Sequence, residues 1–176
     1  MKYSLLFALL FFQFSSLAQK IIKPTKKDPP GTVRMTDYEF LTPTKTEIFG
    51  FGATRFTFEF RVLETDSATI QLCFRLECGH YDVKKGEPIK VYFIDSSMVT
   101  LYAVKDAPTT GYRESLGQAG AREHYYANMY IELSKKLQQT FINKEVESVR
   151  MAADFLHLKV DKKKRGLIRK ALQLFN

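Results

Sequence analysis

Residues 55–62 alternate without a break: Phe56, Phe58, Phe60 and Val62 fall on one phase, Arg55, Thr57, Glu59 and Arg61 on the other. Only an extended strand sends successive side chains to opposite faces, so the aromatic phase must be dry while Arg55 and Arg61 look toward water. A second run follows, with Ile70, Leu72, Phe74, Leu76 and Cys78 alternating against Gln71, Cys73, Arg75 and Glu77. The link Glu64-Thr65-Asp66-Ser67 is short and polar, which predicts an antiparallel hairpin.

Further runs extend this pattern. Ile89–Ile94 and Met98–Val104, joined by Asp95-Ser96-Ser97, predict a second hairpin, with Pro88 suited to a strand's first residue. Tyr125, Ala127, Met129, Ile131 and Leu133 alternate again, and Val146–Met151 and Phe155–Val160 each suit a strand. Ser134 is placed to cap a short helix reaching about Phe141. Asp161 is placed to cap a C-terminal amphipathic helix, whose stripe is Leu167, Ile168, Ala171, Leu172 and Phe175. The expected fold is α+β: one antiparallel sheet of six to seven strands packed against the short helix and the C-terminal amphipathic helix.

Three segments stand apart from that core. Residues 1–18 carry Lys2, the apolar run Leu5–Phe12 and small residues at Ser16 and Ala18. This is the pattern of a cleaved export signal, too short to span a bilayer at ~20 residues. Residues 19–35, with Pro24, Pro29 and Pro30, read as an extended tether before a single domain at 36–176. Residues 105–124, with Pro108, Gly111, Gly117 and Gly120, show no sustained period and read as a long loop. The chain is therefore expected outside the cytoplasm, periplasmic or extracellular, with no transmembrane segment in its mature form. Its 176 residues and 45% hydrophobic content suit one domain and exclude disorder throughout.

No motif brings a cofactor or a metal. His80, His124, His157, Cys73 and Cys78 include no C-x-x-C, H-x-x-x-H or H-E-x-x-H spacing. Cys78-Gly79-His80-Tyr81-Asp82 is the one local cluster of possible ligands, and it reads better as a strand end and turn. His157 falls on the polar phase of its strand, where a solvated imidazole is expected. Five residues apart on one strand, Cys73 and Cys78 would sit ~16 Å apart at ~3.3 Å per residue. A disulfide spans ~5.5–6 Å between Cα atoms, so two free thiols are expected, with Cys73 covered by the C-terminal helix or used between molecules. There is no G-x-S-x-G elbow and no glycine-rich phosphate loop; Gly50-Phe51-Gly52 lacks the lysine and the following helix.

Charge is distributed unevenly. Residues 19–133 hold 15 basic and 15 acidic groups, whereas residues 134–176 hold 11 basic and four acidic. Lys162, Lys163, Lys164, Arg165, Arg169 and Lys170 are the candidate anion-binding residues, joined by Lys135, Lys136, Lys144, Arg150 and Lys159 if the two helices lie together. The bland alternative is a solvated helix face that maintains solubility. Tyr92, Tyr102, Tyr125, Tyr126 and Tyr130 either present a stacking surface for sugars or a partner protein, or lie under a second layer.

The Ser16-Leu17-Ala18-Gln19 boundary, together with Tyr130–Ser134, Val146–Arg150 and Lys170–Leu174, resembles small exported proteins of uncharacterised function from Bacteroidota-type bacteria. The resemblance covers roughly residues 50–176 in layout and implies one β-rich domain with a terminal helix. It brings no catalytic or binding residue.

Two functions follow from the residues. The first is a non-enzymatic exported domain that binds a partner protein or an anionic glycan or lipid surface; nucleic acid is disfavoured by export. The alternative is a hydrolase with its site near His80 and the 105–124 loop.

Overall fold

Phe58, Phe60 and Val62 are fully buried, and Leu72, Phe74 and Leu76 lie against them. A computed structural model describes residues 19–26, 28–42, 45–49, 52–77, 81–115, 120–151 and 156–176, with backbone alone at 45–49, 52–56 and 122. The export signal expected at 1–18, the Cys78-Gly79-His80 cluster and the Phe56 side chain lie outside the described residues.

The described strands are β1 (Ile21–Ile22), β2 (Thr32–Thr36), β3 (Glu39–Phe40), β4 (Lys45–Phe49), β5 (Gly52–Thr65), β6 (Ile70–Glu77), β7 (Pro88–Phe93), β8 (Met98–Tyr102), β9 (Thr110–Ser115), β10 (Ala121–Glu132), β11 (Val146–Met151) and β12 (Leu156–Lys159). Two short helices follow the alternation's breaks, α1 (Lys135–Asn143) and α2 (Leu167–Gln173). The fold is α+β and mostly antiparallel sheet.

The strands divide between two sheets rather than forming the single sheet of six to seven that was expected. The larger has eight strands in the order β1-β2-β5-β6-β10-β9, with β3 and β4 also on β5. Because β5 is 14 residues long, three partners share one of its edges: β4 pairs its start, β3 its middle and β2 its end. The smaller sheet runs β12-β11-β7-β8. One apolar cluster joins them, drawing Phe60 and Phe74 from the large sheet, Val91 and Val149 from the small one, and Phe141 and Leu172 from the helices. Alternation shows which residues of a strand are dry but not which sheet a strand joins.

Phe58 and Phe74 stack with ring centroids 5.0 Å apart, and Phe93 meets Phe141 edge-on at 5.6 Å. Ser134 caps α1, its hydroxyl accepting from the Leu137 amide at 3.3 Å. The C-terminal helix is shorter than expected. Asp161 caps a single 3-10 turn, Lys162–Lys164, and the seven-residue α2 starts only after Gly166. Gly166 carries no side chain to cap the helix or cover its first turn, so the chain is re-aimed there.

Residues 19–35 do not trail away as a tether. Pro29-Pro30-Gly31-Thr32 forms a turn in which the Thr32 amide donates to the Pro29 carbonyl at 3.2 Å, with Gly31 at φ +78°. Proline before a glycine of positive φ is the signature of a type II turn, which folds the segment back so that β1 pairs β2. Met35 and Tyr38 then cover the second face of β5 and β6. Arg61, expected in water, is buried there at 6% exposure and ion-paired with Asp28 at 2.8 Å. Cys73 is a free, fully buried thiol covered by this N-terminal segment, not by the C-terminal helix. Its Sγ lies 3.5 Å from the Tyr38 hydroxyl, and burial pushes the thiol up, which keeps it protonated.

Among the described residues of the 105–124 segment, 110–115 and 121–124 are strand. β9 exposes all six of its residues and so leaves no apolar period to read. It is held by its ladder to β10 and by a polar clamp around the buried His124. The ring's Nδ1 lies 2.5 Å from Glu77 and its Nε2 2.8 Å from Glu114, while Tyr112 stacks on it at 4.7 Å.

The β5–β6 and β7–β8 turns each place a residue with a side chain in the left-handed region, Ala68 at φ 58° and Ser96 at φ 64°. At Ala68 that conformation costs roughly 1–2 kcal/mol, which glycine would remove at an entropic cost of ~0.5–1 kcal/mol. Ala68→Gly is therefore expected to raise the stability by about 0.5–1 kcal/mol in urea unfolding; a lower midpoint would refute the turn geometry.

Candidate anion-binding groove

The second face of the small sheet is built by alternation. Ile89, Val91, Leu101, Val149 and Met151 point into the core, so Lys90, Tyr92, Ser148, Arg150, His157 and Lys159 stand on the other side. Register places Lys159 opposite Ser148 and Ser148 opposite Tyr92; in the next row it places His157 opposite Arg150 and Arg150 opposite Lys90.

The chain leaving β12 closes one end of this face. The Val160 amide donates to the Glu147 carbonyl at 2.9 Å, the Asp161 amide to Leu41 at 2.9 Å, and the Val146 amide to Arg165 at 3.3 Å. Three backbone bonds thus hold residues 160–165 as a fixed wall. Between wall and sheet lies a groove of about 1070 Å³. Its floor includes Tyr92, Ser148 and Arg150, and its walls include His157, Lys159, Lys162, Lys163 and Arg165.

Five Lys and Arg side chains line the groove against two carboxylates, Glu147 and Asp161. Asp161 already accepts the Lys163 amide at 2.9 Å. The Arg150 guanidinium lies over the Tyr92 ring at 4.7 Å, a cation–π contact that holds it in place. Partial burial and the cations Arg150 and Lys159 hold His157 below the ordinary histidine range. The Nε atoms of Arg150 and Arg165 are buried and donate to no protein acceptor. The excess of cations over carboxylates in the groove is what an anion would neutralise.

The six sequence candidates separate in space. Lys162, Lys163 and Arg165 line the groove. Lys164 instead lies 5.6 Å from the Phe40 ring, Arg169 is ion-paired with Glu145, and Lys170 stays exposed on α2. Lys144 is taken up by Asp95 at 2.8 Å, whose carboxyl this contact and Ser97 hold down at about 2. The two helices do pack on each other, but the cations lining the groove come from one sheet face and one turn. His157 and Tyr92 were not assigned to it from sequence. The available signal was that both share the outward phase with Arg150 and Lys159.

Among the described residues no three His, Cys, Asp or Glu side chains converge as a metal site. No helix among them is long and apolar enough to cross a membrane. No family model, curated protein or solved structure matches the chain.

Proposed function

We propose that this is an exported, non-enzymatic domain, periplasmic or extracellular, that binds an anionic envelope component or an acidic partner in the groove between β11, β12 and the 160–165 wall. The convergence of five cations on one concavity, against two carboxylates, carries this reading. The C-terminal segment serves it as an amphipathic unit. Leu167, Ile168, Ala171 and Leu172 anchor it in the core, and Lys162, Lys163 and Arg165 just before them line the groove.

Retention on immobilised heparin is expected to fall steeply with salt, as for any polyanion contact made by several cations. Lys163→Glu with Arg165→Glu should weaken binding by about tenfold or more, equivalent to ~1.4 kcal/mol. The same charge change at Lys135 and Lys136, exposed on α1, should leave it nearly intact. Equal losses from both pairs would mean that net charge alone is responsible, and the groove would be wrong. Bound anion should also raise the His157 titration midpoint, by offsetting the cations that depress it.

A further inference from the structure

The groove opens onto the rest of the small sheet's outward face. Lys90 and Tyr92 continue it on β7, and Met98, Thr100 and Tyr102 on β8. Met98 is 46% and Tyr102 57% exposed. Among the described residues the outward phase of β7 and β8 carries no carboxylate, and the two at the groove are Glu147 and Asp161. The helices pack on each other and α2 packs against β5, away from it.

We infer that this face is a track for a linear acidic polysaccharide, its charged end in the groove and its sugar rings crossing over Tyr102; the inference rests on the groove being an anion site. From β12 to β8 the face spans about 14 Å, at ~4.8 Å per strand. Tyr102 lies opposite Pro88, four residues along β7 from Tyr92, or about 13 Å farther down the sheet. Anionic groups and an exposed aromatic ring are therefore too far apart for one small anion. A chain of sugars with repeated acidic groups meets both: carboxylates or sulfates meet the guanidinium donors, and the apolar face of a sugar ring meets the tyrosine. A flat lipid surface fits less well, because Arg150 and Arg165 line a concavity rather than a protruding patch. The export signal expected at 1–18 sets polysaccharide ahead of nucleic acid.

Titration calorimetry of the whole chain with a heparin disaccharide and a heparin octasaccharide tests this. The octasaccharide should bind more tightly. Tyr102→Ala should weaken it about three- to tenfold and leave the disaccharide unchanged, while Tyr102→Phe should retain the wild-type difference. Tyr102 is exposed, so its loss leaves the core intact. Unchanged octasaccharide affinity in Tyr102→Ala would overturn the track while the groove stands. Unchanged affinity for both sugars in the Lys163→Glu, Arg165→Glu double variant would overturn the groove itself. Tighter binding of single-stranded DNA or of phosphatidylglycerol vesicles than of the octasaccharide would overturn the polysaccharide as occupant.

Discussion

Asp28→Ala is expected to destabilise the protein by about 3–5 kcal/mol, the usual cost of leaving one member of a buried ion pair unpartnered. Arg61 Nη1 donates to Asp28 at 2.8 Å and to the Met35 sulfur at 3.3 Å, and its guanidinium lies 4.5 Å from the Tyr38 ring centre. Its Nε is buried with no acceptor, so among the described residues Asp28 supplies the one carboxylate bonded to this cation. Replacing both partners, as in Asp28→Leu with Arg61→Met, should recover much of the loss, because the cost arises from the stranded charge. Urea unfolding decides it: a loss below about 1 kcal/mol for Asp28→Ala would mean the N-terminal segment is not docked.

The same pair predicts a pH dependence. Burial pushes the Asp28 carboxyl up, but the Thr25 amide and hydroxyl and the Arg61 guanidinium outweigh it and hold the group below the ordinary range. A carboxylate with a depressed folded-state value contributes stability that is complete above about pH 4, where the unfolded group is also ionised. That contribution is lost as pH falls through the folded value. Asp28→Asn should therefore unfold with a shallower acid dependence than the wild type.

Phe74→Ala should cost about 3–5 kcal/mol, the range for a fully buried phenylalanine truncated in a core that cannot collapse around the gap. Phe74 is fully buried on β6, between Phe60 of β5 and Met129 of β10 in register, and its ring packs on Phe58. Three strands fix its surroundings, which limits relaxation. Phe74→Leu should cost less than half as much, since it retains most of the volume. A loss below about 1.5 kcal/mol for the alanine variant would contradict a shared core between the two sheets.

The hairpin of β5 and β6 was legible because Phe56, Phe58, Phe60 and Val62, and then Ile70, Leu72, Phe74 and Leu76, make unbroken apolar phases. The β7–β8 hairpin and the Ser134 cap were legible for equally local reasons. β9 was not, since it buries no face and is fixed by its own Glu114 on His124 of β10, whose ring also meets Glu77 of β6. The groove was half legible. Lys162, Lys163 and Arg165 stood out as a charge run, but Lys164 and Arg169 in the same run are used elsewhere.

By itself, then, the chain's order of residues determined which side of each strand is dry, because period-two alternation is a property of neighbours. Only the tertiary structure decided what becomes of the other side. Arg61 and Cys73 belong to a wet phase and are nevertheless buried, because Asp28, Met35 and Tyr38 arrive from more than twenty positions away. Arg150, on an equally polar phase, meets no such cover and lines the groove. A polar side chain's surroundings depend on what folds over it, and local periodicity carries no record of that.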